Sequence, residues 1–433
     1  MAYRTARLSR IGCNEAFAAT AMSQPPVFSI CVPTYNRGRY LASLLESLVV
    51  QMAAFPYPYE IVISDNASSD DTPAVVARFA GLLPIRSIRH AETLGCYPNV
   101  VFAMTQARGR YMMYLADDDC VLGDALAEVV AAMEADPAVV ITYAPWMLFD
   151  LVGQQAQGQF YEVPRDLRVE QGQYAELLGH ILRHHIFPEI YVARTEVMKR
   201  LMPRVNDIAF YAFSQAADYL NQGAVLIRKQ PFYVAITRYF ADDVRSQVGN
   251  GEVEVAWDRY RGGLEYMMAR AGNAIGAEER AGLHLRIQHL IAVRMSVAIR
   301  LRHNQNKDPL DVHTLAMRLK GMGYEHLLPV PMKILASKAT LHFLLEDTAL
   351  NRGMARLVCV GPFDAAAKDY LKQHAGRPVD FLGQAPKAHV KDALLFVSDR
   401  IEGFDPPVEE QQARNLHIVR ERDLCDRFGL VPG

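Results

Sequence analysis

Short apolar runs at Val27–Val32, Tyr59–Ser64, Ile85–Arg89, Tyr111–Leu115 and Val139–Tyr143 alternate with segments whose apolar residues recur at helical spacing, as in Tyr40, Leu41, Leu44, Leu45 and Leu48. Runs that are apolar on both faces suit buried strands, and strands separated by helices imply a mostly parallel sheet with right-handed crossovers. Turn chemistry agrees. Asn36 is placed to cap the helix through Tyr40–Leu48, and Thr72-Pro73 opens the next, Thr as cap and Pro at the first helical position. Further helices are expected from Pro98-Asn99 to Gly109 and from Asp124 to Glu134. The class is α/β.

Polar residues gather where these strands end. Tyr111–Leu115 runs through Ala116 into Asp117, Asp118 and Asp119. Like charges this close repel and raise one another's pKa, and a hard divalent cation such as Mg²⁺ or Mn²⁺ relieves the repulsion through carboxylate oxygens. The alternative is a solvated acidic turn ahead of the helix at Asp124. Asp65 follows the second strand, and Pro33-Thr34-Tyr35-Asn36 closes the first. Ligands of open α/β sheets bind beyond the carboxyl ends of the strands, which is where these groups fall. No G-x-G-x-x-G and no Walker lysine loop follows the first strand, so an ordinary dinucleotide or P-loop phosphate site is not expected.

Composition narrows the class further. Hydrophobic content of 51% and charge of 22% are those of an ordinary globular protein. A net charge of −2 excludes the basic footprint of a general nucleic-acid binder. The six cysteines are scattered without a C-x-x-C pair, which fits a reducing cytoplasm and no zinc site. No apolar run is long enough to span a bilayer.

Pro33-Thr34-Tyr35-Asn36-Arg37, then Ile63-Ser64-Asp65-Asn66-Ala67-Ser68-Ser69-Asp70, then Asn99, then Leu115-Ala116-Asp117-Asp118-Asp119 resembles, in order and spacing, the inverting family 2 glycosyltransferases of the GT-A fold. The resemblance covers about residues 27–240. It implies that Pro33, Thr34, Tyr35, Asn36, Arg37, Asp65, Asn66, Asn99 and Asp117 contact a nucleotide-sugar, with Thr34, Asn36 and Asp65 on its base and ribose. It implies a Mn²⁺ or Mg²⁺ bridging the diphosphate. The family's D-x-D motif aligns Ala116 and Asp118 with its two acids, so Asp118 is the expected ligand, joined by Asp117 or Asp119. The Glu-Asp pair that often marks the family's general base corresponds to Ala217-Asp218, which makes Asp218 the expected base and Glu189 the runner-up. Asp218 is otherwise a first-turn carboxylate favoured by a helix dipole. Arg238 and Arg245 lie in a segment that either folds over the diphosphate or forms a surface salt-bridge cluster.

The organisation expected is a mobile leader (1–24), a GT-A domain (25–250), a helical region (251–350) and a small Rossmann-like module (351–433). Between residues 281 and 340 nine Lys or Arg stand against three acids, which suits either contact with anionic lipid or packing on a neighbouring domain or subunit. In the last module Pro362-Phe363 stands where a cofactor loop would need glycines. The reading is a metal-dependent inverting glycosyltransferase acting in the cytoplasm or at the inner membrane face. Its donor is a UDP-, dTDP- or GDP-sugar, and its acceptor a hydroxyl of a glycan or lipid-linked molecule in surface-polysaccharide synthesis. The alternative is a catalytically silent nucleotide-sugar-binding or scaffold protein of the same fold.

Overall fold

The computed structural model describes residues 25–202, 207–242, 253–346, 352–363, 365–384 and 390–428. The leader 1–24 and Arg245 lie outside these residues. The chain divides into two compact units, one of residues up to 247 with 258–287, the other of 248–257 with 288–433.

The first unit is built on an eight-stranded mixed sheet. Its parallel half contains β1 (Phe28–Thr34), β2 (Tyr59–Asp65), β3 (Ile85–Arg89) and β4 (Tyr111–Tyr114), in the spatial order β3-β2-β1-β4. Helix α1 (Gly38–Gln51) links β1 to β2, α2 (Thr72–Phe79) links β2 to β3, and α3 (Cys96–Thr105) returns from β3 to β4. Right-handed crossovers place α1 and α2 on one face and α3 on the other, because the third connection runs back across the sheet. Burial follows. Every residue of β1 is buried, as are Leu41, Leu44, Leu45 and Leu48 of α1. The reversal of strand order between β1 and β4 opens a crevice at their carboxyl ends, the usual position of a ligand site in such sheets.

After α4 (Gly123–Ala135) the sheet continues through β6 (Val139–Tyr143), β9 (Leu167–Val169), β10 (Tyr191–Arg194) and β11 (Ala224–Ile227), in the order β4-β10-β6-β11-β9. Strand β10 is antiparallel to both β4 and β6, whereas β11 is parallel to β6. A second small sheet joins β5 (Cys120–Val121), β12 (Tyr233–Arg238), β7 (Trp146–Asp150) and β8 (Gln155–Gln159). This sheet is invisible to a reading by strand-helix alternation, since β5 is two residues long and β8 is fully exposed and polar.

In the second unit, α10 (Pro309–Gly321) and α11 (Met332–Phe343) follow α9 (Ala277–Asn304), whose residues from Gln288 belong to this unit. A four-stranded parallel sheet ends the chain: β13 (Arg356–Val360), β14 (Val379–Leu382), β15 (Ala393–Val397) and β16 (Leu416–Arg420), ordered β14-β13-β15-β16. One core holds Ala336, Ala339 and Leu344 together with Leu357, Cys359, Leu371 and Leu394, so α11 and this sheet share apolar side chains. Among the described residues no helix is long and apolar enough to cross a membrane.

Candidate active site

Strand register assembles the site. Thr34 pairs with Asp65 at the ends of β1 and β2. Cys31 of β1 pairs with Tyr114 of β4, so Thr34 stands level with Asp117 three residues further along both chains. Thr34, Asp65 and the acidic run thus meet in one row along the carboxyl edge.

The turn after β1 is tied to the turn after β2. Asn36 takes a left-handed conformation with φ of 51°, one that Asn tolerates better than most residues. Its N–H donates to Ser68 Oγ at 2.9 Å, and its Oδ1 accepts the Ser69 N–H at 2.7 Å. The expected caps are corrected here. Asp70 takes the Gly38 N–H at 2.9 Å and the Thr72 N–H at 3.0 Å, so a single carboxylate closes the start of α1 and the start of α2. The Thr72 hydroxyl and the backbone donors hold the Asp70 carboxyl below the usual range despite partial burial. A Cβ at Gly38 would lie 2.0 Å from Asp71 Oδ1 and 3.0 Å from the Thr72 nitrogen, so a side chain there would have to displace Asp71.

Asp65 is buried, accepts the Ser68 N–H at 2.9 Å and pairs with Arg89 at 3.4 Å. Asn66 and Asn99 are tied into the scaffold. Asn66 accepts from Leu94 N–H at 2.7 Å and donates to Gly95 O at 3.2 Å; the Asn99 amide accepts from Ser64 Oγ at 2.6 Å and donates to Ser64 O at 3.0 Å. Both side chains expected on the nucleotide are therefore engaged in shaping the loop that precedes α3 and the start of that helix.

The acidic run splits. Asp117 and Asp118 are 7% and 9% exposed. Arg37 reaches Asp118 at 2.5 Å and Asp117 at 3.5 Å. Burial, and after it the Asp118 charge, pushes the Asp117 carboxyl up to about 7 against the opposing pull of Arg37. The Thr34 hydroxyl has no hydrogen bond of normal geometry, yet it stands close enough to Asp117 to lower that value. Two buried carboxylates lie beside one another and beside the Arg37 guanidinium. An oxygen-only donor set of this kind fits a hard divalent cation. Asp119, also expected as a metal ligand, faces the second sheet, where its oxygens accept the Tyr233 hydroxyl at 2.7 Å and the Ile236 N–H at 2.8 Å.

The candidate bases lie on different elements. Asp218 is in the last turn of α7 (Tyr211–Leu220), not the first, because the helix begins before Ser214. That end of α7 leads into β11, which runs parallel to β6, and the Asp218 carboxylate is close enough to Tyr143, the last residue of β6, to help burial push that phenol up. Its carboxylate accepts from Tyr266 at 2.8 Å and pairs with Arg270 at 3.4 Å, both on α8 (Trp257–Ala271). The helix-dipole alternative fails, since a carboxylate in a last turn meets the negative end. Glu189 precedes β10. Ala193 pairs with Met112 in antiparallel register, which carries Glu189 level with Ala116 at the acidic edge. It is half-buried and close enough to Tyr161 to help burial push that phenol up. Arg238 is exposed at the end of β12 and pairs with Asp150 at 3.5 Å. Beyond it Asp242 pairs with Arg39, and Tyr239 and Phe240 pack on Tyr40, so this segment lies against the first turn of α1.

A profile of the family described as "Glycosyl transferase family 2" matches residues 29–188. The poly(ribitol-phosphate) beta-N-acetylglucosaminyltransferase TarS of Staphylococcus aureus is 25% identical over 224 residues, 49% of this chain and 35% of that protein. The abequosyltransferase RfbV of Salmonella typhimurium is 37% identical over 103 residues, 23% of this chain and 31% of its own. The chain thus spans about a third of the length of these curated relatives. Among solved structures, that of S. aureus TarS 1-349 in complex with UDP-GlcNAc covers 69% of this chain and 90% of its own, with 16% identity and a TM-score of 0.43.

Proposed function

The chain belongs to the family 2 glycosyltransferases through the domain that residues 29–188 form, and from that premise we propose that it moves a sugar from a nucleotide-sugar to a hydroxyl of a glycan or lipid-linked acceptor, with inversion at the anomeric carbon. The observation that carries this reading is the register that lines up Thr34, Asp65 and the buried Asp117–Asp118 pair at the β1/β4 crevice.

Each residue has a task that its position suits. Asp65 and the Asn36 turn bind the ribose and base, with the exposed Tyr35 ring offering a face to the base. Asp117 and Asp118 would hold Mg²⁺ or Mn²⁺, which neutralises charge on the departing diphosphate. Arg37, already between the two carboxylates, is within reach of diphosphate oxygens when a cation takes over that pairing. Glu189 serves as general base. Its carboxylate takes the proton of the acceptor hydroxyl as that oxygen bonds to the anomeric carbon and the bond to the diphosphate oxygen breaks. Asp218 is assigned no proton transfer in this reading, since its carboxylate is engaged by Tyr266 and Arg270.

Incubation of the chain with a panel of UDP-, dTDP- and GDP-sugars in Mn²⁺ tests the reading through release of nucleoside diphosphate. At least one donor should be consumed, and Glu189→Gln should slow transfer about 10²–10⁴-fold, the usual worth of a positioned base. Asp218→Asn should transfer at nearly the wild-type rate. If Asp218→Asn is the inactive variant, the acceptor side has been placed wrongly.

A further inference from the structure

We propose that the second unit binds a divalent transition-metal ion on Asp308, His342 and Glu346, a site separate from the acidic pair of the first unit. One ligand atom from each of these residues lies within 4.8 Å of the other two. Asp308 caps α10 by accepting the Leu310 N–H at 2.8 Å, which fixes its carboxylate. His342 lies in the last turn of α11, and the Glu346 N–H donates to its carbonyl at 3.2 Å, so one more helical turn sets the two side chains on the same side. His342 Nε2 is 3.8 Å from Asp308 Oδ1. Its other ring nitrogen, Nδ1, is 3.1 Å from the Tyr370 hydroxyl on α12 (Ala365–His374).

The last contact points beyond a chance ion pair. A metal-bound histidine hands its second N–H to a hydrogen-bond acceptor, which sets tautomer and ring plane and turns the free lone pair toward the ion. Tyr370 is placed to be that acceptor, and Nε2 faces the carboxylates. Metal–ligand bonds of about 2.0–2.2 Å need the three atoms to draw in by less than about 1 Å, within the reach of side-chain rotation. One imidazole with two carboxylates suits Zn²⁺, Mn²⁺ or Fe²⁺ better than the all-oxygen preference of Ca²⁺. Asp308 and His342 also line a cleft of about 290 Å³ together with Lys307 and Lys338, which would receive an anion on the ion's remaining positions.

The test uses the full chain carrying Asp117→Asn and Asp118→Asn, stripped with chelator and titrated with Zn²⁺ by calorimetry. One Zn²⁺ should bind, His342→Ala or Glu346→Gln should weaken it at least about 100-fold, and Tyr370→Phe should weaken it about 10–100-fold while the metal-free melting temperature stays put. Glu346→Gln carries the test alone should His342→Ala fail to fold. Absence of Zn²⁺ binding, or equal affinity in Glu346→Gln, overturns the proposal and leaves an ion-paired histidine. Because the acidic pair is disabled throughout, the outcome is independent of the glycosyltransferase reading.

Discussion

At the scale of single residues, the account turns on which carboxylates face the crevice and which brace the scaffold. Asp117 is the one whose protonation the fold alters most visibly. Its carboxyl is raised to about 7, so between the ordinary carboxylate range and about 7 the folded chain binds more protons than the unfolded one. Stability from this group is then full at low pH and lost as pH rises through that window. Asp117→Asn removes the loss, so its melting temperature relative to wild type should climb from about pH 5 to about pH 8 in metal-free buffer. A gap that does not change with pH would mean that Asp117 is not held in the environment described. That Asp65, Asp117 and Asp118 lie at the carboxyl edge was legible in the sequence, because a carboxylate directly after a strand lies there whatever else the chain does. Asp218, expected in a first turn, lies in a last one, because Tyr211–Phe213 extend α7 by three residues without any capping signal. Asn66 and Asn99 show the same limit: their partners Gly95 and Ser64 are remote in sequence.

At the scale of elements, one polar junction ties the parallel half together and another ties it to the small second sheet. Glu60 on β2 accepts from Ser29 Oγ at 2.8 Å and from the Arg108 N–H at 2.7 Å, and pairs with Arg86 at 3.1 Å. This locks the starts of β1 and β2 to the turn before β4, opposite the site. Glu60→Ala takes the acceptor from the Ser29 hydroxyl and the ion-pair partner from Arg86, and should cost about 2–4 kcal/mol in denaturant unfolding, with nucleotide affinity retained in the folded fraction. The second junction is Asp119. Asp119→Ala strips the Ile236 N–H and the Tyr233 hydroxyl of their acceptor, and a loss of about 1–3 kcal/mol is expected. A variant that melts like wild type but loses Mn²⁺-dependent binding would instead return Asp119 to the metal. Strand-helix alternation was legible because its periods differ, 2 against 3.6, and turns separate them. The small sheet was not. Its polar β8 is a strand only because β7 lies beside it.

At the scale of the whole molecule, the candidate site belongs to the first unit, and no residue assigned to the nucleotide, the diphosphate or the base lies in 288–433. Ending the chain before Gly353 would nevertheless strip Ala336, Ala339 and Leu344 of Leu357, Cys359 and Leu394. The remaining α10–α11 segment should then become protease-sensitive while nucleotide affinity is unchanged, as limited proteolysis and titration of the same sample would show. The helical composition of 281–340 and the parallel strands near the end were legible in the sequence. The sharing of one core between α11 and that sheet was not, since the apolar residues concerned are spread from Ala336 to Leu424. The basic excess of 281–340 is partly matched in place: Arg302 pairs with Asp311, and Lys320 with Glu325. What the chain does as an enzyme rests on the buried pair at the β1/β4 crevice, and calorimetry of UDP, dTDP and GDP tests that claim most directly. At least one should bind wild type in Mn²⁺, lose most of its affinity in EDTA, and bind Asp118→Asn weakly under either condition. Equal affinity in Mn²⁺ and EDTA with Asp118→Asn unaffected, or no binding of any of the three, would contradict the account.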